Sequence, residues 1–168
     1  MELSKPALFL DRDGVINIEK NYLYKIEDFE FIDGIFELCK FFQDKGFLIF
    51  VVTNQSGIAR GYYSENDFLK LTAWMEDEFL KKDIKISKTY FCPHHPDITG
   101  ECVCRKPKPG MLLQARDEFN VDLEKSVIVG DKKRDIQAGL NAGLKKTYLF
   151  DGENIKDLKE IIRLYKNG

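Results

Sequence analysis

Short continuous apolar runs alternate with stretches of helical period along the whole chain, and few architectures accommodate that order. The runs are Ala7 to Leu10, Phe47 to Thr53, Thr89 to Phe91, Ser126 to Val129 and Thr147 to Phe150. A run apolar at every position, bounded by polar residues, suits a strand covered on both faces, which is how parallel sheets are built. Between the runs, Ile35 to Lys45 places Ile35, Leu38, Phe41 and Phe42 on one helical face, and Gly46 stands where such a helix stops. Ser64 followed by Asp67 predicts a capping box that opens a helix to about Lys82. Further helices are expected after Pro109 and Gly110 through Phe119, over Asp135 to Ala142, and over Ile155 to Tyr165 with Asn154 as its cap. The expectation is a three-layer α/β/α Rossmann-like fold over 1–168, with no separate cap domain.

A chain of 168 residues is long enough for one such core. Its 26 basic and 28 acidic side chains are interspersed, which disfavours a nucleic-acid partner. No apolar run approaches the ~20 residues that span a bilayer, and Met1 to Pro6 does not read as a leader, so a cytoplasmic protein without a membrane partner is expected. Two stretches escape the alternation: residues 14–32, and a Pro-, Cys- and His-rich loop at 92–109. Long irregular connections of this kind are commonly functional.

The first run ends in Asp11-Arg12-Asp13-Gly14-Val15. Ligands of open parallel sheets bind outside the carboxyl ends of the strands, and residues two apart in extended chain point to one side, so Asp11 and Asp13 can face one pocket. Taken alone, the string also reads as a polar turn. Other strand ends add to it: Thr53-Asn54-Gln55-Ser56 brings hydroxyl and amide groups, and Gly130-Asp131 with Asp135 brings further acids. Arg105-Lys106-Pro107-Lys108-Pro109 brings cations on a backbone that proline restricts. Carboxylates that hold Mg²⁺, a hydroxyl for a phosphate oxygen and a lysine for spread negative charge are what phosphoryl transfer requires.

Asp11-x-Asp13, Thr53, Lys106 and Gly130-Asp131-x-x-x-Asp135 follow the order of the four motifs of the haloacid dehalogenase superfamily, and the chain resembles its phosphatase branch. The strings Phe9 to Asn17, Thr53 to Gly61, Cys92 to Pro96 and Cys104 to Pro107 are similar to those of sugar-bisphosphate phosphatases within that branch. The resemblance implies Asp11 as the nucleophile and Asp13 as the acid and base. It implies Mg²⁺ on the carboxylates of Asp11 and Asp131 and the backbone carbonyl of Asp13, Thr53 and Lys106 on the phosphoryl oxygens, and Asp135 as the residue that positions Lys106 or a metal-bound water. It assigns substrate contacts to Glu19, Lys20, Asn21 and Tyr22, to Thr53, Asn54, Gln55 and Ser56, and to Arg105 and Lys132. A guanidinium fork suits Arg105 for a second phosphate, whereas Lys132 also reads as a solvated charge beside Lys133 and Arg134. The expected partner is a small phosphorylated metabolite, and a monomer is expected.

Cys92, His94, Cys102 and Cys104 are four ligands of the types zinc prefers, although their spacing is tighter than in common fingers. A chance grouping of buried thiols is the alternative. Four protein ligands leave no open position, so such a zinc is structural and its work is to fold the loop that carries Arg105 and Lys106. His95 reads as a bystander and Cys39 as a core residue.

Three other functions fit parts of the pattern. Histidinol-phosphate phosphatases share the aspartate motif and the zinc loop. Polynucleotide 3′-phosphatases share Asp-x-Asp and Thr-Asn-Gln, but near-neutral charge and the lack of a kinase P-loop count against them. A signalling receiver domain needs its phospho-accepting acid on a different strand from the acid pair, and the second and third runs end in Thr53 and Cys92 instead.

Overall fold

The structure is a computed structural model and describes residues 3–168; Met1 and Glu2, at the start of the segment considered above for a leader, lie outside them. The elements follow the order β1 (Ala7–Leu10), α1 (Ile35–Asp44), β2 (Leu48–Asn54), α2 (Glu65–Leu80), β3 (Lys88–Cys92), α3 (Pro96–Thr99), α4 (Gly110–Phe119), β4 (Val127–Gly130), α5 (Lys133–Ala142), β5 (Lys146–Leu149) and α6 (Leu158–Asn167). All four strand pairings are parallel, in the spatial order β3-β2-β1-β4-β5. No helix among the described residues is long and apolar enough to cross a membrane.

The period of two in a strand divides the core into two layers. Leu8, Leu10, Ile49, Val51, Val127 and Val129 face one side, where they meet Ile35, Leu38 and Phe42 of α1, Leu71, Met75 and Phe79 of α2, and Leu158 and Ile161 of α6. Ala7, Phe9, Phe50, Val52 and Ile128 face the other, against Met111, Leu112 and Ala115 of α4 and Ala138 of α5. Register places Phe9 beside Phe50, and their rings stack at 5.5 Å between centroids. Each such ring removed from water contributes roughly 1.5–3 kcal/mol, so the sheet is held from both faces.

The predicted strands and most predicted helices are present with ends shifted by a residue or two. Ser64 and Asp67 close the expected capping box, with Asp67 N–H donating to Ser64 Oγ at 3.0 Å and Ser64 N–H donating to Asp67 Oδ2 at 2.9 Å. One cap is different from the expectation. Asn154 does not open α6, because Asp151 captures its N–H at 2.8 Å and its side-chain amide at 2.9 Å in a separate turn. Asp157 caps the helix instead, accepting from Lys159 N–H at 2.9 Å. The 92–109 loop also contains the short helix α3, which starts at Pro96 and is capped by the His95 ring.

The long 14–32 segment is folded down rather than free. Ile18 N–H donates to Glu30 C=O at 2.9 Å and Ile32 N–H to Ile16 C=O at 2.8 Å, which closes the segment into a narrow antiparallel pair. Its Val15, Ile16, Leu23 and Phe29 are buried in the core layer of α1, α2 and α6.

Candidate active site

Strand order reverses at β1: the chain steps outward to β2 and β3 on one side and to β4 and β5 on the other. Helices on opposite faces diverge there and leave a crevice at the carboxyl ends of β1, β2 and β4. A cavity of about 410 Å³ occupies it, with Asp11, Asp13, Lys106 and Asp131 in its wall.

Asp11 follows β1 directly and is 7 % exposed. Its Oδ1 accepts from the Arg12 N–H at 2.9 Å and from Lys106 Nζ at 3.0 Å. Lys106 is 2 % exposed, and its Nζ also donates to the Val52 carbonyl at 2.8 Å and lies 2.7 Å from Asp135 Oδ1. The Asn54 side chain clamps the backbone that carries this lysine, accepting from Lys106 N–H at 3.0 Å and donating to Lys106 C=O at 3.3 Å. Asp135, in the first turn of α5, accepts from the Lys132 N–H at 3.0 Å through Oδ2. Asp135 therefore holds Lys106 in place while its own second oxygen caps the helix.

The electrostatics are those of an acid cluster short of positive charge. Burial raises the Asp11 carboxyl to about 8, opposed by Lys106 and reinforced by Asp135, Asp131 and Asp13. Burial and then Asp135 raise Asp131. Burial alone would lower Lys106, but Asp11 and Asp135 outweigh it and leave the ammonium group more firmly protonated. Oxygens of Asp11, Asp131 and Asp135 lie within 4.8 Å of one another, and Asp131 Oδ1 is buried with no hydrogen-bond partner. A hard divalent cation satisfies that oxygen and offsets the surplus charge, so the donor set fits Mg²⁺ on Asp11 and Asp131. Two glycines allow this convergence. A Cβ on Gly14, whose φ is +91°, would stand 2.1 Å from Asp131 Oδ2, and one on Gly130 would stand 2.1 Å from Asp135 Cβ.

Asp13 lines the same cavity, and its carboxylate is held from the other side. Asp13 Oδ1 accepts from Arg12 Nη2 at 3.0 Å and Asn17 Nδ2 at 3.0 Å, and Oδ2 accepts from Gln55 Nε2 at 3.2 Å. Arg12 is 1 % exposed and also donates to the Leu23 carbonyl at 2.9 Å, so it ties the acid to the 14–32 segment. The same Gln55 amide donates to Thr53 Oγ1 at 2.9 Å, and Tyr63 Oη donates to Gln55 Oε1.

Most residues anticipated for substrate line this cavity: Glu19, Asn21, Tyr22, Asn54, Gln55, Ser56, Arg105 and Lys132. Two do not. Lys20 pairs with Glu30 at 2.6 Å on the outer side of the segment, and Thr53 is buried behind Gln55. Conversely, Arg12, Asn17, Arg60, Tyr63 and Arg134 belong to the site or its supports but were not singled out. Arg12, Asn17 and Arg60 lie inside the quoted strings Phe9 to Asn17 and Thr53 to Gly61, which was the signal available for them.

The sulfur cluster sits beside this wall. Cys92, Cys102 and Cys104 bring their sulfurs within 4.8 Å of one another, and the Cys92 and Cys102 sulfurs are 3.6 Å apart. The sulfurs of Cys92 and Cys104, both expected as zinc ligands, also approach each other, with Cα atoms 5.6 Å apart, and His94 stands outside the sulfur group. The reason is geometric. Tetrahedral Zn–S bonds of ~2.3 Å set sulfurs about 3.8 Å apart, so the backbone that suits a zinc tetrahedron also lets two thiols meet. Cys39 is fully buried in the core, as expected.

Residues 103–160 match the HAD-hydrolase-like family. The chain is 56 % identical over 168 residues to a D-glycero-alpha-D-manno-heptose-1,7-bisphosphate 7-phosphatase of Campylobacter jejuni, covering 95 % of each chain. The chain belongs to the heptose-1,7-bisphosphate 7-phosphatase family. A second heptose-bisphosphate phosphatase, the beta-anomer enzyme of Yersinia pestis, is 48 % identical over 149 residues, covering 86 % of this chain and 79 % of the other. The crystal structure of a D,D-heptose 1,7-bisphosphate phosphatase from B. bronchiseptica, complexed with magnesium and phosphate, superposes with a TM-score of 0.80 at 26 % identity over 97 % of this chain and 99 % of that one. As a member of this family of HAD hydrolases, the chain is a phosphatase with the α/β fold that the alternation of runs and helices predicts.

Proposed function

We propose that the chain removes the 7-phosphate of D-glycero-D-manno-heptose 1,7-bisphosphate, as a cytoplasmic monomer that serves the making of nucleotide-activated heptose for lipopolysaccharide. The observation that carries the reading is Asp11. Its Oδ1 is held by Lys106 and a backbone N–H while the carboxylate faces an open cavity, in a chain with 56 % identity to a heptose-bisphosphate phosphatase.

Asp11 attacks phosphorus with its free oxygen, which yields an aspartyl phosphate and splits one hard step into two. Asp13 gives its proton to the departing sugar oxygen and then takes one from the water that hydrolyses the intermediate. Lys106 neutralises charge on the phosphoryl oxygens, and Thr53 supports them through Gln55. Asp135 keeps Lys106 aimed, and Asn54 keeps its backbone in register. Asp11, Asp131 and the Asp13 carbonyl would hold Mg²⁺, which would supply charge stabilisation for the transferring group. Glu19, Asn21, Tyr22, Asn54, Gln55, Ser56, Arg105 and Lys132 surround the sugar and its second phosphate.

The reduced sulfur cluster holds one structural zinc, with Cys92, Cys102 and Cys104 joined by His94. The 3.6 Å separation of Cys92 and Cys102 supports this, because it is close to the sulfur spacing of a zinc tetrahedron. Metal analysis of protein purified under reducing conditions without chelator should give about one zinc per chain. Metal-free protein with a Cys92–Cys104 disulfide under the same conditions would overturn it.

The functional test is phosphate release from both anomers of the heptose bisphosphate and from histidinol phosphate. A heptose bisphosphate should give the highest kcat/KM. Asp13→Asn should lower turnover on it by about 10²–10⁴-fold, the usual range for lost acid–base catalysis. Faster turnover of histidinol phosphate would refute the substrate.

A further inference from the structure

Three arginines from three separate parts of the chain reach the mouth of the active-site cavity. Arg60 comes from the connection between β2 and α2, Arg105 from the loop after β3, and Arg134 from the first turn of α5. Among the described residues none of the three is in an ion pair, although the other three arginines and many surface lysines have a carboxylate within 4 Å. Among the acids of the cavity, Asp11 is committed to Lys106, Asp13 to Arg12, Glu19 to the Asn21 N–H at 2.7 Å, and Asp131 pairs at 3.9 Å with Lys132 while its buried oxygen faces the proposed magnesium site.

We propose that Arg60 and Arg134 complete, with Arg105, a clamp for the phosphate that is not hydrolysed, and so set the preference for a bisphosphate over a monophosphate. The inference rests on the sugar-bisphosphate reading above and deepens it. Like charges gathered without a counter-ion repel one another, and an unpaired cluster of guanidinium groups is stable only where water or an anion shields it. Arg105 feels the other two: burial first, then Arg134, and more weakly Arg60, depress its proton affinity. A doubly charged phosphate relieves that repulsion and offers oxygens for forked hydrogen bonds from more than one guanidinium.

Two of the three side chains already have contacts before any ligand arrives. Arg60 lies over the Tyr22 ring at 5.9 Å, and that ring meets Tyr62 edge-on at 4.7 Å. Arg105 Nη1 donates to the His94 carbonyl at 3.4 Å, which leaves the rest of its fork free. Arg134 stands in the first turn of the helix whose Asp135 holds Lys106, so its backbone shares one rigid element with the reaction centre. A remote phosphate gripped on such elements can orient the reacting end, which appears as kcat/KM on the bisphosphate alone.

The test is steady-state kinetics of wild type, Arg60→Gln, Arg134→Gln and the double variant on heptose 1,7-bisphosphate, heptose 7-phosphate and p-nitrophenyl phosphate. Each single variant should lose about tenfold and the double about 100-fold in kcat/KM on the bisphosphate, with losses under about threefold on the two monoesters, in line with the tenfold that ~1.4 kcal/mol represents. Arg60→Lys should recover part of the loss, because charge is kept while the fork is not. Equal losses on all three substrates, or none on the bisphosphate, would overturn the clamp while the wild-type preference for bisphosphate stands. If wild type itself hydrolyses the bisphosphate no better than heptose 7-phosphate, the underlying bisphosphate reading falls and the clamp with it.

Discussion

Replacing Lys106 by methionine tests the centre of the site with one change. The side chain is 2 % exposed, and its ammonium group stands 3.0 Å from Asp11 Oδ1 and 2.7 Å from Asp135 Oδ1. Methionine fills much of the same volume but leaves two buried acids facing each other without the cation. Breaking a buried ion pair by removing one partner costs about 3–5 kcal/mol, chiefly because the remaining charge stays buried. For a domain of this length each kcal/mol lowers Tm by about 2–4 °C, so the expected fall is about 6–20 °C in magnesium-free buffer. Turnover should fall by about 10²–10³-fold as well, the scale of a lost donor at a site of developing charge. Scanning calorimetry with and without Asp135→Asn separates the causes. If the cost lies in the unpaired acids, the double variant Lys106→Met/Asp135→Asn should be no less stable than Lys106→Met alone. A Tm within about 2 °C of wild type, with less than tenfold loss of activity, would refute the account of Lys106 as the cation that makes the acid cluster tolerable.

Three further outcomes follow from the same cluster. Asp11→Asn should abolish phosphate release yet raise the Tm of the magnesium-free protein at pH 8, because it removes a carboxylate that burial opposes; lowered stability at that pH would contradict this. The folded-state Asp11 carboxyl is raised from 3.8 to about 8, so the folded chain keeps a proton that the unfolded chain has released. Stability without magnesium should therefore fall as pH rises from about 4 to about 8, and Mg²⁺ should raise Tm more at pH 8 than at pH 5.5, as thermal melts at several pH values will show. Gly14→Ala would place a Cβ 2.1 Å from Asp131 Oδ2, so the Mg²⁺ concentration for half-maximal activity should rise about tenfold or more, and an unchanged magnesium titration would sink the argument.

The expected strands emerged because a parallel strand buried on both faces must be apolar at nearly every position, and that leaves a mark in the order of residues alone. Ala7 to Leu10 and Val127 to Gly130 carry it most plainly. Helix ends were less legible where one short stretch holds two acids and an asparagine, each able to cap a turn. Asp151 takes the N–H groups near Asn154, and only the folded turn decides that Asp157 becomes the cap of α6.

Within the site, Asp11, Asp13, Lys106, Asp131 and Asp135 could be anticipated because their types and order mark strand ends with one chemistry. Order along the chain does not say which partner each will take. That Lys106 bridges Asp11 and Asp135, 95 and 29 residues away, and that Arg12 turns inward to hold Asp13 depend on the reversal of strand order at β1. The same convergence places Arg60 and Arg134 beside Arg105, three residues that share no local pattern and meet only because three connections end at one crevice. Local periodicity determined the elements and the chemistry of their ends. Long-range packing determined which ends face one another, because pair contacts between distant residues form only when the sheet has assembled.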